Sequence, residues 1–462
     1  MDELTRMNAR DAVAALADGQ VTRDEMIEAA LARHAAVDGA LNALPTLCPE
    51  RARAAPGGGV LHGLPVAIKD LSMVAGVRST KGSPIFADHV PAGDDHVVQR
   101  IEARGGAILA KSNTPEFGAG ANTYNAVFGA TRNPWDTRLS AAGSSGGAAA
   151  ALRTGMAWLA HGSDLGGSLR TPASFCGVVG LRPSPGLVPG GPAADPFSPL
   201  GVEGPMARDV DDLALFLDAM AGFDPREPLS FAVEGSFREA AASRALPRRV
   251  AFHPDLRIVR TDPEVAALCE AAARRFEAMG VTVEEAHPDL DEAPETFMTL
   301  RAQGYATAMG PLLASDRDLL KEEVVWNAEL GLGLTPEAIG RAERDRGVLH
   351  ARAAAFFETY DLLLCPTAII PPYPVEQPWP RQANGRTFET YVDWLEIVSA
   401  ITLLAVPALS LPCGFTEGGL PVGLQMAGRP RGEAALLAAA GALQDALGLD
   451  AAPIDPVVRH EG

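Results

Sequence analysis

The stretch that decides the fold runs from Ala141 to Pro183 and reads AAGSSGGAAAALRTGMAWLAHGSDLGGSLRTPASFCGVVGLRP. It holds two Gly/Ser clusters, at residues 143–147 and 166–168, separated by an alanine-rich run and a short apolar run. Because glycine has no Cβ, its backbone N–H can approach a ligand closely, and two such loops suit a site that holds an anion. The serines of these clusters are therefore candidate nucleophiles.

A serine nucleophile needs a neighbouring base that removes its proton. Only four of the 39 positively charged residues are Lys, at positions 69, 81, 111 and 321, and the rest are Arg. Arg stays protonated in proteins, whereas a buried Lys can lose its proton. Lys69 ends the apolar segment LPVAIK, which makes it a candidate base. Taken alone, its position favours a structural ion pair over that role.

Composition and charge disfavour several classes of protein. A hydrophobic fraction of 47% with 21% charged residues is ordinary for a soluble globular enzyme. The net charge of −19 argues against nucleic acid and anionic membranes as partners, because their phosphates would be repelled. The sequence has no apolar run of the roughly 18 residues that a spanning helix needs. The acidic start, MDELTRMNARDAV, is not typical of a signal peptide.

The cysteines indicate a reducing compartment. Their number is odd and no two form a C-x-x-C pair, which is typical of small buried hydrophobic residues rather than disulfides or a zinc site. They are Cys48, Cys176, Cys269, Cys365 and Cys413. We expect a cytoplasmic protein without a metal or cofactor, and we leave a homodimer open.

The N-terminal part predicts two helices followed by a βαβ unit. Thr22 and Glu25 have the spacing of a capping box, which indicates the start of the second helix. Strand, helix and strand then follow in the order of a parallel pair with a crossover. Because side chains alternate along a strand, Asp70 should point away from Lys69 and need not be its partner. The predicted elements are helices at 9–18, 23–37 and 94–104 and strands at 64–69 and 107–110.

The first Gly/Ser cluster is predicted to precede a helix at 146–153. This places Ser144 and Ser145 at a helix N-terminus, where the dipole favours negative charge. The irregular segment 113–139 either lines a site or is a surface excursion. The other predicted elements are strands at 156–160, 178–181, 250–252, 281–284, 361–365, 408–413 and 422–426 and helices at 205–221, 263–279 and 432–446.

We expect one domain over 1–462, with an N-terminal helical segment at 1–60 packed on it. Three helices predicted between 290 and 358 form a mostly helical insert that shapes the pocket. For Tyr305 and Trp326 of this insert, core packing is favoured over a place in the pocket wall.

Several segments together resemble the amidase signature family, over about residues 60–430. They are GSSGG at 143–147, GSDLGGSLRTPA at 162–173, FCGVVGLRP at 175–183, KSNTPEF at 111–117, GPMAR at 204–208, PCG at 412–414 and GLPVGLQ at 419–425. The chain departs from the family's common residues at Ala142, Arg182 and Ser184, none of which supplies a reacting atom. The resemblance implies a single large α/β/α domain with a mixed central sheet covered by helices on both faces.

The resemblance also implies a catalytic triad of Lys69, Ser144 and Ser168, in which a cis peptide bond precedes Ser144. Neutral Lys69 would accept a proton from Ser144, which takes one from the nucleophile Ser168. The implied oxyanion hole consists of the backbone N–H groups of Leu165, Gly166, Gly167 and Ser168.

Three further residues are expected to support this site: Ser145, Asp164 and Arg170. Asp164 and Arg170 are a plausible ion pair that fixes the oxyanion loop. Contact between Arg170 and an acidic substrate is the alternative.

Two rival interpretations stay open on the sequence. GSSGG also fits the Gly-x-Ser-x-Gly elbow of an α/β-hydrolase with Ser145 as nucleophile, which needs a downstream histidine. The downstream histidines have no distinctive flanking motif, and they are His253, His287, His350 and His460. The second rival is the glutaminase subunit of a tRNA-dependent amidotransferase, which belongs to the same family.

The segments 114–118 and 230–245 look like those of stand-alone amidases, and the acidic composition offers no tRNA site. We therefore predict a stand-alone hydrolase of linear amides with a small-molecule substrate. Its scope extends to aryl acylamides, esters or carbamates (urethanes), because one acyl-transfer machinery serves all of them.

Overall fold

The strands around the Gly/Ser clusters assemble into one large sheet. The computed structural model describes residues 2–459. Eleven strands of this part of the chain form a mixed sheet in the order β1-β3-β2-β8-β10-β9-β16-β17-β13-β11-β12. The strands are β1 (Thr46–Leu47), β2 (Pro65–Lys69), β3 (Ala107–Ser112), β4 (Tyr124–Asn125), β5 (Gly129–Ala130), β6 (Arg132–Asn133), β7 (Asp136–Ser140), β8 (Leu159–Asp164), β9 (Val179–Arg182), β10 (Val202–Ala207), β11 (Arg249–Phe252), β12 (Thr282–Glu285), β13 (Leu362–Pro366), β14 (Gln382–Ala383), β15 (Arg386–Thr387), β16 (Ala408–Phe415) and β17 (Pro421–Ala427).

The helices of the same residues surround this sheet. They are α1 (Glu3–Arg6), α2 (Ala9–Ala17), α3 (Arg23–Leu41), α4 (Pro49–Ala54), α5 (His96–Ala103), α6 (Gly146–Arg153), α7 (Arg170–Cys176), α8 (Val210–Met220), α9 (Phe237–Ser243), α10 (Pro263–Ala273), α11 (Arg275–Ala278), α12 (Ala293–Asp316), α13 (Glu322–Leu332), α14 (Pro336–Thr359), α15 (Glu396–Leu403) and α16 (Glu433–Leu447). No helix in residues 2–459 is long and apolar enough to cross a membrane.

Helices cover both faces of the sheet, as the alternating side chains of β13 show. Leu362 and Leu364 pack into one apolar cluster with α5, α8 and α16, whereas Leu363 and Cys365 pack into another with α12, α14 and α15. Successive side chains of a strand point to opposite faces, so the two clusters lie on opposite sides of the sheet. This arrangement confirms the predicted α/β class with helices on both faces.

The strand that carries Lys69 lies between two parallel neighbours. β2 pairs in parallel with β3 on one side and with β8 on the other, and all five of its residues are buried. Strands buried on both faces are continuously apolar, which explains the run before Lys69. Since β2 and β8 run in the same direction, Lys69 and the second Gly/Ser cluster lie at the same edge of the sheet.

Two predicted elements are wrong in type or position. Residues 202–207 form strand β10, antiparallel to β8, where a helix was predicted from Pro205. The helix begins only at Val210, because the Asp209 side chain caps it by accepting a hydrogen bond from the Asp212 N–H. The strand predicted at 156–160 begins at Leu159, because Gly155 with φ +75° ends the preceding helix in a turn.

Candidate active site

The Lys69 side chain lies among hydroxyl groups at the end of β2. Its Nζ lies 2.6 Å from Ser144 Oγ, 2.9 Å from Ser145 Oγ and 3.0 Å from Ser163 Oγ, and it donates to the Ser163 carbonyl at 3.3 Å. Within residues 2–459, Nζ forms no ion pair with a carboxylate. The structure thus brings Lys69 and Ser144 into direct contact, and the expectation that Asp70 points away holds.

Burial changes the proton affinity of this amine. The Lys69 side chain is 0% exposed. Desolvation lowers the pKa of Lys69 to about 7, although the negative charges of Glu203 and Asp164 offset part of the effect. A substantial fraction of Lys69 is therefore uncharged near neutral pH, as a proton acceptor requires.

Ser144 follows a backbone of unusual conformation. The peptide bond between Gly143 and Ser144 is cis, and Ala142 before it has φ +57°. Ser145 is the N-cap of α6, which confirms that the serine pair precedes a helix. Ser144 is 2% exposed and lines a cavity, whereas Ser145 is 0% exposed and its hydroxyl is held by Lys69 Nζ.

Ser168 follows β8 in the loop that leads into α7. It is half-buried and lines the same cavity as Ser144, so its hydroxyl is accessible to a small molecule. The Ser168 carbonyl accepts a hydrogen bond from the Ser145 N–H at 3.2 Å, which ties the two Gly/Ser clusters together. The Ser144 and Ser168 hydroxyls are not hydrogen-bonded to each other within the described chain.

The Asp164 carboxylate shapes the loop before Ser168. It accepts hydrogen bonds from the N–H groups of Gly167 at 2.9 Å and Leu169 at 3.0 Å. Gly167 has φ +113°, which a residue with a Cβ rarely adopts. Because the Gly167 N–H points at Asp164, the prediction that it belongs to the oxyanion hole is wrong. The N–H groups of Leu165, Gly166 and Ser168 donate to no other group in residues 2–459.

Arg170 holds this carboxylate in place. Its Nε and Nη2 donate to Asp164 at 3.0 and 2.9 Å, and its other N–H groups donate to Val398 O, Gln425 Oε1 and Thr402 Oγ1. Burial would raise the pKa of Asp164, but the charge of Arg170 and these hydrogen bonds bring it below the usual range. Arg170 is 0% exposed with every N–H used, so the alternative contact with an acidic substrate is wrong.

The cavity at this site has a volume of about 370 Å³. One wall comes from the loops at 185–203 and 227–229, and another from α12, with Ser144 and Ser168 at its base. Tyr305 of α12 packs in an apolar cluster with Val324, as predicted, and also lines the cavity, whereas Trp326 packs against the apolar core.

Two residues that contact Lys69 were not predicted from the sequence. Ser163 contacts Lys69 Nζ through both its hydroxyl and its carbonyl. The only sequence signal for this contact is the position of Ser163 directly before Asp164 in GSDLGGS. His161 Nδ1 accepts from the Lys69 backbone N–H at 3.4 Å, while its Nε2 lies 2.7 Å from Glu203 Oε2. A buried histidine directly before the motif carries no sequence signal of this role.

The α/β-hydrolase alternative is wrong. Ser145 is sealed from the cavity, as its 0% exposure shows. The downstream histidines lie elsewhere: the rings of His253 and His287 are 4.4 Å apart, and His350 Nδ1 contacts the Leu404 carbonyl at 2.9 Å. His460, the fourth candidate, lies outside the described residues.

The fold is of the α/β class, and next to its cavity a buried lysine contacts a serine hydroxyl. Comparison with known proteins gives the family. The sequence model of the Amidase family matches residues 25–437, so the chain belongs to the amidase family, whose members hydrolyse C–N bonds of amides. This confirms the resemblance to amidase signature enzymes.

Three relatives illustrate the match. An acylamidase from Rhodococcus erythropolis is 36% identical over 456 residues, covering 93% of both chains. A glutamyl-tRNA(Gln) amidotransferase subunit from Anaeromyxobacter dehalogenans is 34% identical over 98% of this chain and 99% of its own. The crystal structure of a bacterial aryl acylamidase of the amidase signature family superposes with a TM-score of 0.90 at 25% identity, covering 96% of this chain and 97% of that one.

Proposed function

We propose that this protein is a stand-alone hydrolase of linear amides that works through an acyl-enzyme on Ser168. The observation that carries the proposal is the 2.6 Å contact between buried Lys69 Nζ and Ser144 Oγ, in a site where the pKa of Lys69 is lowered to about 7. The 36% identity to an acylamidase over nearly the whole chain supports the same function.

The acylation step begins with proton transfer toward Lys69. The neutral amine accepts the Ser144 proton while Ser144 takes the proton of Ser168, and Ser168 Oγ forms a bond to the acyl carbon. The step needs a hydrogen bond between the two serine hydroxyls. Such bonds are often long in unliganded enzymes and tighten once a substrate is bound.

The negative charge that develops on the acyl oxygen needs donors. The N–H groups of Leu165, Gly166 and Ser168 fit this role, because nothing else in residues 2–459 accepts from them. Removal of one such donor typically costs about 3 kcal/mol of transition-state stabilisation. The Asp164–Arg170 pair fixes the loop that carries them, through the bonds from Gly167 and Leu169.

The same relay completes the reaction in reverse. The proton on Lys69 returns through Ser144 to the leaving amine nitrogen as the C–N bond breaks. Water then attacks the ester of Ser168, the relay takes its proton, and the carboxylic acid leaves with Ser168 restored. The overall reaction consumes one water and yields one acid and one amine.

Substrate scope follows from the cavity walls. We propose that the helical insert at 290–358 shapes the site, since α12 provides one wall. Aryl acylamides are the first candidates, with esters and carbamates also within reach of the acyl-transfer chemistry. The five cysteines are all free and buried, which supports a cytoplasmic location.

A serine-directed fluorophosphonate tests the proposal. We expect labelling at Ser168 alone, lost in Ser168→Ala and retained in Ser145→Ala, together with hydrolysis of acetanilides by the wild-type protein. Labelling of Ser145, or retention of the label in Ser168→Ala, would contradict the assignment.

A second candidate is a glutaminase subunit of an amidotransferase, favoured by the 34% identity to such a subunit over nearly the full length of both chains. The two candidates separate on glutamine. A stand-alone amidase hydrolyses anilides without a partner. Glutamine hydrolysis that appears only when a partner is added, with anilides untouched, supports the second candidate instead.

A further inference from the structure

Arg301 is a buried cation in the wall of the substrate cavity. It lies on α12, is 6% exposed and lines the cavity that also holds Ser144 and Ser168. Its Nε donates to Asn327 Oδ1 at 3.2 Å, and its Nη2 donates to the hydroxyls of Tyr305 and Tyr391. The guanidinium carbon lies 4.7 Å from the centre of the Tyr305 ring and 5.4 Å from that of Tyr391. The group is therefore held in one orientation.

The guanidinium has one nitrogen left for a ligand. Within residues 2–459, Nη1 donates no hydrogen bond and no carboxylate forms an ion pair with Arg301. This differs from Arg170, whose N–H groups are all used. A buried charge without a counter-ion is costly, because hydration is lost and nothing replaces it. An anion in the cavity would supply that counter-ion.

The space beside Arg301 is open. Gly304, one turn further along α12, also lines the cavity, and a Cβ at this position would meet no atom within 4 Å. Residues three apart on a helix share a face. The lining of the cavity also includes the acidic residues Asp195, Glu203 and Glu227. The positive group of the cavity wall thus lies on α12, and these acidic residues lie on other elements: Glu203 on β10, and Asp195 and Glu227 on loops.

We propose that Arg301 binds a carboxylate of the substrate through Nη1, so that the preferred substrates are amides with a carboxylate group on the side of the scissile bond that faces α12. This inference rests on the proposed amide hydrolysis and names its substrate class. A guanidinium fixed by two aromatic rings and three side-chain acceptors is preorganised for such a charge-assisted contact. The acidic residues of the lining would repel a carboxylate that enters the cavity away from Arg301.

A purely structural role for Arg301 makes a different prediction. If the residue only holds Tyr305, Tyr391 and Asn327 together, its replacement impairs all substrates alike. If it binds a carboxylate, its replacement impairs charged substrates and spares neutral ones. The comparison therefore needs substrates that differ in charge and little in shape.

Pairs of nitro and carboxylate anilides meet this requirement, since the two groups have the same shape. One pair is para-acetamidobenzoate with para-nitroacetanilide, which places the charge on the amine side. The other is succinanilate with nitropropionanilide, in which a nitro group takes the place of the carboxylate, and this pair places the charge on the acyl side. The variants are Arg301→Gln and Arg301→Lys, and the matched control is Arg317→Gln, an exposed arginine just after α12 that pairs with Glu329.

We expect Arg301→Gln to lower kcat/KM for the carboxylate member of one pair by about tenfold to a hundredfold, mainly through KM, as for loss of a hydrogen bond to a charged group. Its neutral partner should change by less than about threefold, a small part of one such interaction. Arg301→Lys should restore part of the loss, and Arg317→Gln should behave as wild type. An equal loss on the charged and neutral members of both pairs would overturn the proposal.

Binding without turnover provides a second readout. In a Ser168→Ala background, calorimetry should show that Arg301→Lys weakens binding of the preferred carboxylate anilide and not of its nitro partner. Equal affinity for the carboxylate anilide in Ser168→Ala with and without Arg301→Lys would also overturn the proposal. Failure of the proposed function looks different, because the wild-type protein would then leave all four anilides intact and Ser168 unlabelled by fluorophosphonate.

Discussion

Lys69 and Lys111 are buried on neighbouring strands, and the difference between their partners fits the proposed catalytic role of the first and a structural role of the second. Both side chains are 0% exposed, on β2 and β3 respectively. Lys111 Nζ forms an ion pair with Asp70 at 2.9 Å and donates to the Ser72 carbonyl and the Ser79 hydroxyl. Within residues 2–459, the hydrogen-bond partners of Lys69 Nζ are hydroxyls and one carbonyl.

The comparison shows that burial alone does not make a base. Burial lowers the pKa of both lysines, but at Lys111 the adjacent Asp70 charge opposes it directly. At Lys69 the opposing carboxylates, Glu203 and Asp164, form no ion pair with the amine, and the pKa of Lys69 is about 7. At Lys69 the amine contacts a serine hydroxyl, which suits the proposed proton acceptor, whereas at Lys111 the amine pairs with a carboxylate, which suits a structural contact.

The largest effect is expected for Lys69→Met. Loss of the proton acceptor should lower kcat for an anilide by about a hundredfold to ten-thousandfold, the range for removal of a general base. The fold should be retained, because a hydrophobic side chain of similar length replaces a group that was costly to bury. Steady-state kinetics with a circular-dichroism melt checks both parts. Activity within a few fold of wild type would remove Lys69 from the mechanism.

Lys111→Met should lower the free energy of unfolding, in contrast to the effect of Lys69→Met on kcat. The substitution leaves the Asp70 carboxylate buried without its ion-pair partner, which typically costs about 3–5 kcal/mol of unfolding free energy. Urea denaturation measures the loss. Lys111→Met combined with Asp70→Asn is the control, and it should recover part of the stability because no unpaired charge remains. A fully stable but inactive Lys111→Met protein would break the distinction between the two lysines.

The third prediction concerns pH. Protonated Lys69 cannot accept a proton, so kcat/KM for an anilide should rise about tenfold per pH unit below the pKa of about 7 and level off above it. The same rise should be absent from the residual activity of Lys69→Met. Rates that stay constant between roughly pH 6 and 9 would speak against a lysine base.

The smallest effect is expected for Glu203→Gln. The Glu203 charge raises the pKa of Lys69, so its removal should move the midpoint of the pH profile to lower pH. Glu227→Gln is the matched control, since Glu227 lines the same cavity without such an influence on Lys69. A shift of the midpoint to higher pH, or equal shifts in both variants, would show that Glu203 does not act on Lys69.

Local patterns allowed much of the fold to be predicted from the sequence. The apolar run before Lys69 and the capping box at Thr22 identify β2 and α3 because both signals are contained in a few adjacent residues. Pro205 misled the prediction, since a proline is typical of a helix start and here lies within a strand instead. Only the pairing of β10 with β8 decides between these states.

Only the residues of the site that lie within sequence motifs could be predicted. Family resemblance locates Ser144 and Ser168, but the direction of the Gly167 N–H depends on the rotamer of Asp164, which no motif specifies. Arg301 and Ser163 escaped prediction for a related reason. Ser163 contacts Lys69 of the neighbouring strand β2, and Arg301 lines the same cavity from α12, so neither position is identified by adjacent residues in the sequence.

The most direct test of the account is a titration of the lysines by carbon-13 NMR. The chain has four lysines, so Cε labelling gives four signals, which single Lys→Met variants assign. We predict that the signal lost in Lys69→Met titrates with a midpoint near pH 7 in the Ser168→Ala protein. A midpoint for Lys69 at the ordinary lysine value of about 10.4 would contradict the claim that a neutral amine drives the reaction.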